Sequence, residues 1–195
     1  GGVSMPGCPS SIAAIDGIVP PVAEFREYGA AVGIGTDQAP GPGHHSMLRE
    51  ARTAATLSKV ERTDPTALTA PETLRLATVG GAEALGVEDR VGTLEEGTRA
   101  DLLVVETDCL STAPAVESPL HTAVPNLVYS TTGREVRDVF VAGESIVREG
   151  AFVDADPEAA VAEATERARA LYERAGEDWR AADSELVAAV EDGWL

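Results

Sequence analysis

Gly29-Ala30-Ala31-Val32-Gly33-Ile34-Gly35-Thr36-Asp37-Gln38-Ala39-Pro40-Gly41-Pro42-Gly43-His44-His45-Ser46-Met47-Leu48-Arg49-Glu50-Ala51-Arg52-Thr53-Ala54-Ala55-Thr56 is the stretch on which the fold turns. Ala31 to Ile34 is an apolar run too short for a helix and reads as a buried strand. It stops at Gly35-Thr36-Asp37, which places a carboxylate at the strand's C-terminal end. A Pro/Gly loop, 39–43, follows, and a helix starts at Ser46, a residue type suited to an N-cap. Leu48, Ala51, Ala54, Ala55 and Ser58 give that helix one face of small residues, fit for close packing. Strand, polar end, glycine-rich loop and helix together make one β/α unit of a parallel sheet. In barrels built from such units, chemistry sits at the C-terminal ends of the strands.

Working outward, the chain of 195 residues has room for one or two domains and a real core. No run of eighteen apolar residues exists, so no transmembrane helix is expected. The start, Gly1-Gly2-Val3-Ser4-Met5-Pro6, lacks the basic and apolar segments of a signal peptide, and with no initiator Met it reads as a fragment. Cys8 and Cys109 are a sparse pair without disulfide or structural-zinc spacing, which points to a reduced, cytoplasmic setting. The net charge of −18 argues against a nucleic-acid or anionic-membrane partner, because phosphate binding needs a basic footprint. Lys59 is the only lysine among 15 Lys and Arg residues. An acidic, lysine-poor surface fits a salt-adapted, halophilic protein, in which ions screen self-repulsion. A high-GC genome that favours Arg over Lys is the alternative.

Asp16 to Pro21 reads as a turn into a helix, with Pro21 in the first helical turn, Val22, Phe25 and Tyr28 near helical spacing, and Gly29 as the stop. A second helix is expected from Ala70-Pro71-Glu72 to Gly86, with Leu74, Ala77, Thr78, Ala82 and Leu85 as its inner stripe. Gly80-Gly81 inside it would cost about 1 kcal/mol each relative to Ala, and close helix packing would explain them. From Val91 the pattern becomes extended. Strands are expected at 100–105, 127–129, 136–141 and 144–147, with Ala142-Gly143 as a hairpin turn. Residues 114–125, including His121, read as a surface loop, and Asp101 as a residue bonded to a turn. Asp154 to Glu158 caps a long final helix. Its face of Val161, Ala164, Ala168, Leu171, Tyr172 and Ala175 serves either core packing or a homo-oligomer contact, with Gly176 as a candidate break before a continuation over 179–190.

Val32-Gly33-Ile34-Gly35-Thr36-Asp37, followed by Met47-Leu48-Arg49-Glu50 and an Ala-rich helix, resembles the last barrel unit of the amidohydrolase superfamily, nearest to its chlorohydrolase and nucleoside- or cytosine-deaminase branch. A second block is similar to the same family: Leu74-Arg75-Leu76-Ala77-Thr78, Gly81-Ala82-Glu83-Ala84-Leu85-Gly86, then Val91-Gly92-Thr93-Leu94-Glu95-Glu96-Gly97-Thr98-Arg99-Ala100-Asp101-Leu102-Leu103-Val104-Val105. Val139-Phe140-Val141-Ala142-Gly143 matches the family's closing strand. The resemblance covers about residues 4 to 150, the C-terminal portion of a family member. It implies an α/β fold: the last β/α units of a TIM-type barrel over 1–88, part of a small β-domain over 89–153 and a helical tail over 154–195.

The resemblance further implies a hydrolase acting on C–N or C–Cl bonds of a nitrogen heterocycle, a deaminase first of all. Asp37 would then contact a divalent metal, zinc or alternatively iron, and handle the proton of the attacking water. Asp37 capping a loop or pairing with an Arg is the other reading. Met5 to Ile12 falls where the family has the end of the preceding strand. Gly7 replaces a common His and Ile12 a common Asn, and Cys8-Pro9-Ser10-Ser11 remains. Ser10 and Ser11 either belong to a tight loop that caps the next helix or touch substrate. Gln38 and His45 are further candidates for substrate contact at the rim. His44 and His45 are adjacent, which does not suit chelation of one ion from a helix face.

The family's His-x-His and its later metal-ligating His residues have no counterpart here, and two strands cannot close a barrel. The first six barrel units are therefore expected on the remaining N-terminal part or on a partner chain, with this chain inactive by itself. The alternative to an enzyme is a non-catalytic remnant or assembly module.

Overall fold

The computed structural model describes residues 3–38, 43–182 and 185–193; the expected Pro/Gly loop lies mostly outside them. The chain divides into two compact units, Gly1–Val153 and Asp154–Leu195.

In the first unit, β1 (Ser4–Gly7) pairs in parallel with β2 (Ala31–Ile34), with Met5 opposite Val32 and Gly7 opposite Ile34. The connection between them carries α1 (Pro9–Ile15) and α2 (Val22–Glu27), so the β-helix-β expectation for this region holds. Ser10 and Ser11 are not in a capping loop, however. They sit within α1, which starts at Pro9, a residue that loses nothing by lacking an N–H in a first turn. Pro21 is the N-cap of α2 rather than its first helical residue, while Gly29 stops the chain turn with φ 76°, as expected. Val22 and Ala23 are buried, but Phe25 and Tyr28 are exposed, so the apolar spacing read from the sequence overstated that face.

After β2 comes α3 (Met47–Arg62), capped by the Ser46 hydroxyl, which accepts the Arg49 N–H at 3.4 Å. Ala51, Ala54, Ala55 and Ser58 are buried as expected, and so is Glu50. The expected single helix over 71–86 is two: α4 (Ala70–Ala77) and α5 (Val79–Leu85). The break is at Thr78, whose hydroxyl donates back to the Leu74 carbonyl at 2.9 Å, a bond that bends helices. The turn shifts the inner stripe to Ala70, Thr73, Leu76 and Ala82 and leaves Leu85 exposed. It also brings Gly80 and Gly81 against β2. A Cβ on Gly80 would lie 2.4 Å from the Val32 carbonyl oxygen, and one on Gly33 would lie 2.9 Å from the Gly81 Cα. Close packing is therefore why the glycines are there. The core here joins Val22, Val32, Ile34, Ala51, Ala54, Leu68 and Leu76.

Residues 127–129 are not a strand. They end α6 (Ala123–Tyr129), whose start is fixed where the Asn126 N–H donates to the Thr122 carbonyl at 2.8 Å and the Asn126 amide donates to the Thr112 carbonyl at 2.6 Å. Three apolar residues carry no period that separates strand from buried helix. Val128 packs with Ala55 and Ala70, joining α6 to α3 and α4. At the same junction Lys59 stands 4.5 Å above the Tyr129 ring and its Nζ donates to the Tyr129 hydroxyl.

The remaining strands form an antiparallel sheet in the order β3 (Leu102–Val105), β4 (Val136–Val141), β5 (Glu144–Arg148), β6 (Ala151–Phe152). The last is a two-residue strand that the sequence reading missed. Ala142 and Gly143 both take positive φ in the β4–β5 turn, and Asp101 accepts the Ala142 N–H, the turn bond expected of it.

In the second unit, α7 (Pro157–Ala181) is capped by Asp156, which accepts the N–H groups of Glu158 and Ala159. Gly176 does not break it; α7 runs on to Ala181, and α8 (Glu185–Glu191) follows. The Tyr172 and Trp179 rings are 5.3 Å apart along α7.

Candidate functional site

The parallel pair continues past β2 by one bond, the Gly35 N–H donating to the Gly7 carbonyl at 2.8 Å. That bond aligns the ends of both strands, so the residues after Gly7 and after Ile34 meet. Gly35 leaves room there, since a Cβ would be 3.3 Å from the Cys8 Sγ and would press on that side chain. Two residues on, Asp37 turns into the left-handed region at φ 59°. Asp tolerates this conformation better than most side chains, yet it stores strain that the surroundings must hold.

Two donors hold it. The Ser11 hydroxyl, buried in α1, donates to Asp37 Oδ2 at 2.7 Å. That bond, with a second from the Gln38 backbone N–H, keeps the Asp37 carboxyl below the ordinary carboxylate range, against a slight opposing effect of desolvation. Asp37 is thus an exposed, ionised carboxylate at the strand tip. Next to it the Cys8 thiol is pushed up by its own burial and then by the negative charge of Asp37.

Gln38 and His45 are exposed on the same rim, His45 with its Nδ1 3.3 Å from the Thr36 hydroxyl. Ser11 faces Asp37. Ser10 points elsewhere: its hydroxyl donates to Thr53 at 3.2 Å and its N–H donates to Glu50 Oε2 at 3.1 Å. The structure therefore gathers Ser11, Asp37, Gln38 and His45 about one strand end and turns Ser10 toward α3.

Glu50 is the residue that the sequence reading left among the first-turn residues of its helix. It is wholly buried, and its Oε1 has no hydrogen-bond partner, with His44 Nε2 3.5 Å away. A signal was present: Glu50, Ala54 and Ser58 are spaced by four and share the buried face.

A zinc site takes about four donors, three of them from protein in catalytic sites. Among the described residues no three His, Cys, Asp or Glu side chains are grouped to hold a metal ion. Asp37 is one carboxylate donor, so the described residues do not by themselves fit a metal centre. A cavity of about 140 Å³, lined by Val105, Thr112, Val124 and Leu127 among others, lies in the sheet region and does not include Asp37.

Comparison with known proteins places this geometry. The family model described as "Amidohydrolase family" matches residues 1–146. The 5-methylthioadenosine/S-adenosylhomocysteine deaminase of Pelotomaculum thermopropionicum is 38% identical over 172 residues, which cover 88% of this chain and 38% of that protein. The crystal structure of an adenosine deaminase from Xanthomonas campestris with bound zinc superposes with a TM-score of 0.79 at 38% identity, covering 86% of this chain and 37% of that one. The atrazine chlorohydrolase of Arthrobacter aurescens complexed with zinc gives a TM-score of 0.72 at 28% identity, over 85% of this chain and 35% of that one. The chain belongs to the amidohydrolase superfamily, in the branch that holds these deaminases and chlorohydrolases. It spans 38% of the length of the first of these relatives. No helix among the described residues is long and apolar enough to cross a membrane.

Proposed function

We propose that this chain is the C-terminal part of a metal-dependent hydrolase that exchanges an exocyclic amino group of a nitrogen heterocycle for a hydroxyl from water. A nucleoside-type substrate is favoured over a chlorinated ring, since relatives at 38% and 39% identity bear the names of adenosine-derivative deaminases. Residues 1–88 supply the last β/α units of a TIM-type barrel, 89–153 part of a small β-domain and 154–195 a helical tail. The preceding barrel units, on the rest of the polypeptide or a partner chain, hold the divalent ion, which is zinc in the neighbouring structures named above. Without them the chain is inactive.

The observation that carries this reading is Asp37: a non-glycine residue at φ 59°, ionised, exposed and fixed by a buried hydroxyl at the end of a parallel strand. A carboxylate so placed accepts a proton from the attacking water and returns it to the leaving nitrogen. Asp37 also gives one oxygen donor to the ion. Ser11 orients Asp37, Gln38 and His45 flank the substrate rim, and Ser10, bonded to Glu50 and Thr53 of α3, does not reach it. The competing reading, an assembly module without catalysis, draws on the absence of a full metal-donor set among the described residues.

The test is Asp37→Asn in the complete assembled protein, assayed on adenosine-type and guanine-type substrates. Turnover is expected to fall by about 10³-fold or more with the melting temperature unchanged, since the change removes the proton acceptor and keeps the shape. Retained turnover would remove Asp37 from the mechanism, and no turnover in the wild type would favour the assembly module.

A further inference from the structure

We propose that Glu50 is a positioning residue, a buried clasp that ties the first turn of α1 to the β2–α3 connection and thereby holds the Ser11–Asp37 pair in place. The inference rests on the reading of Asp37 as the working carboxylate.

A carboxylate with no solvent exposure is retained only where groups of the protein replace water around it. Here the N–H groups that face it come from two separate segments. On one side the Ser10 N–H reaches Glu50 Oε2 at 3.1 Å, and the Ser10 hydroxyl is anchored to α3 through Thr53. Ser10 precedes Ser11 in the first turn of α1, so fixing the Ser10 amide fixes the base from which the Ser11 hydroxyl reaches Asp37. On the other side is His44, in the connection that leaves β2 through Asp37. Its Nδ1 accepts the Ser46 N–H at 3.2 Å, so the ring proton sits on Nε2. That Nε2 stands 3.5 Å from Glu50 Oε1, the one oxygen of the pair without a hydrogen bond. A shift of a few tenths of an ångström closes the contact, and the buried oxygen then has its partner. Glu50 therefore anchors the turn that carries Ser11 and stands beside a residue of the connection that follows Asp37.

Glu50→Gln keeps the shape and breaks the logic. The carboxamide has one acceptor and one donor group, and it faces two N–H donors, so one connection must let go. In the assembled protein the expected result is a fall in kcat of about 10- to 100-fold, as for a small misplacement of a reacting group, with KM within about twofold. The His44 imidazole ¹⁵N signals should show the Nε2–H tautomer in the wild type and lose that pattern in E50Q. Amide exchange at Ser10 and Ser11 should quicken in the same variant.

A folded E50Q with wild-type kcat, or a wild-type His44 that carries its proton on Nδ1, would overturn the clasp. If E50Q does not fold, His44→Ala decides: lowered kcat at unchanged KM supports the proposal, and unchanged kcat overturns it. The two readings separate cleanly. An inactive D37N beside a normal E50Q leaves the hydrolase and removes the clasp. An active D37N removes Asp37 from the mechanism, and the His44 tautomer still tests the clasp by itself.

Discussion

The parallel β1–β2 region and the antiparallel β3–β6 sheet both carry acidic residues in or beside their strands, but they use them differently. In the sheet the carboxylates serve the backbone. Asp101 takes the Ala142 N–H, Asp138 takes that of Glu149, and Glu135 takes those of Thr132 and Gly133. Such acids close turns, and their charge is satisfied locally. In the parallel region Asp37 is held by a buried serine hydroxyl while it stays exposed, and Glu50 is buried with one oxygen still open. Even the strained backbone follows this division: Ala142 at φ 53° completes a hairpin, whereas Asp37 at φ 59° meets the Ser11 hydroxyl at the end of β2. The partners of an acid, more than its position at a strand end, tell what it is for.

Three measurements would break or sharpen that contrast. The largest effect is expected at Gly80, where β2 and α5 meet. Gly80→Ala puts a methyl 2.4 Å from the Val32 carbonyl, and backbone cannot yield as a side chain can. It should cost about 3 kcal/mol in urea denaturation and displace the β2 end that carries Asp37. A neutral outcome would mean that the parallel region is loosely packed and that its glycines serve no close approach.

Next is Glu135. Burial raises its proton affinity, but the Ser111 hydroxyl and the Thr132 and Gly133 N–H groups outweigh it and bring the carboxyl from its ordinary 4.5 to about 2. A depressed folded-state value means stability present above about pH 4.5 and lost as pH falls toward 2. Glu135→Gln should cost about 1 to 2 kcal/mol near neutral pH, after allowance for solvent screening, and flatten the acid limb of the stability curve. An unchanged acid limb would show that Glu135 is not a structural acid. The smallest effect is Ala142→Gly, which relieves positive φ in the hairpin and should stabilise by about 0.5 kcal/mol in thermal melts.

Much of this was legible from residues alone. The strand at Ala31 to Ile34, the Ser46 cap, the Gly29 stop and the Ala142-Gly143 hairpin are local signals, and local chemistry decided them. What the sequence hid depends on tertiary partners. Residues 127–129 became helix because Asn126 found the carbonyls of Thr112 and Pro114. The helix over 71–86 broke because Thr78 bonds back to Leu74 while Gly80 seeks β2. Glu50 was hidden because a charged residue in a first turn ordinarily faces water, and its partners are 40 residues upstream at Ser10 and across a loop at His44. For the candidate site, the motif around Asp37 could be read directly, whereas the hydroxyl that holds it came from a different element.

The Lys59–Tyr129 junction has a practical consequence. With one lysine in 195 residues, an amine-directed reagent meets a single ε-amino group, and that group lies at the seam of α3 and α6 rather than at the strand tips. A fluorophore or crosslinker placed there would report on the seam as further segments of polypeptide are added, with a label of defined position and without a cysteine having to be engineered.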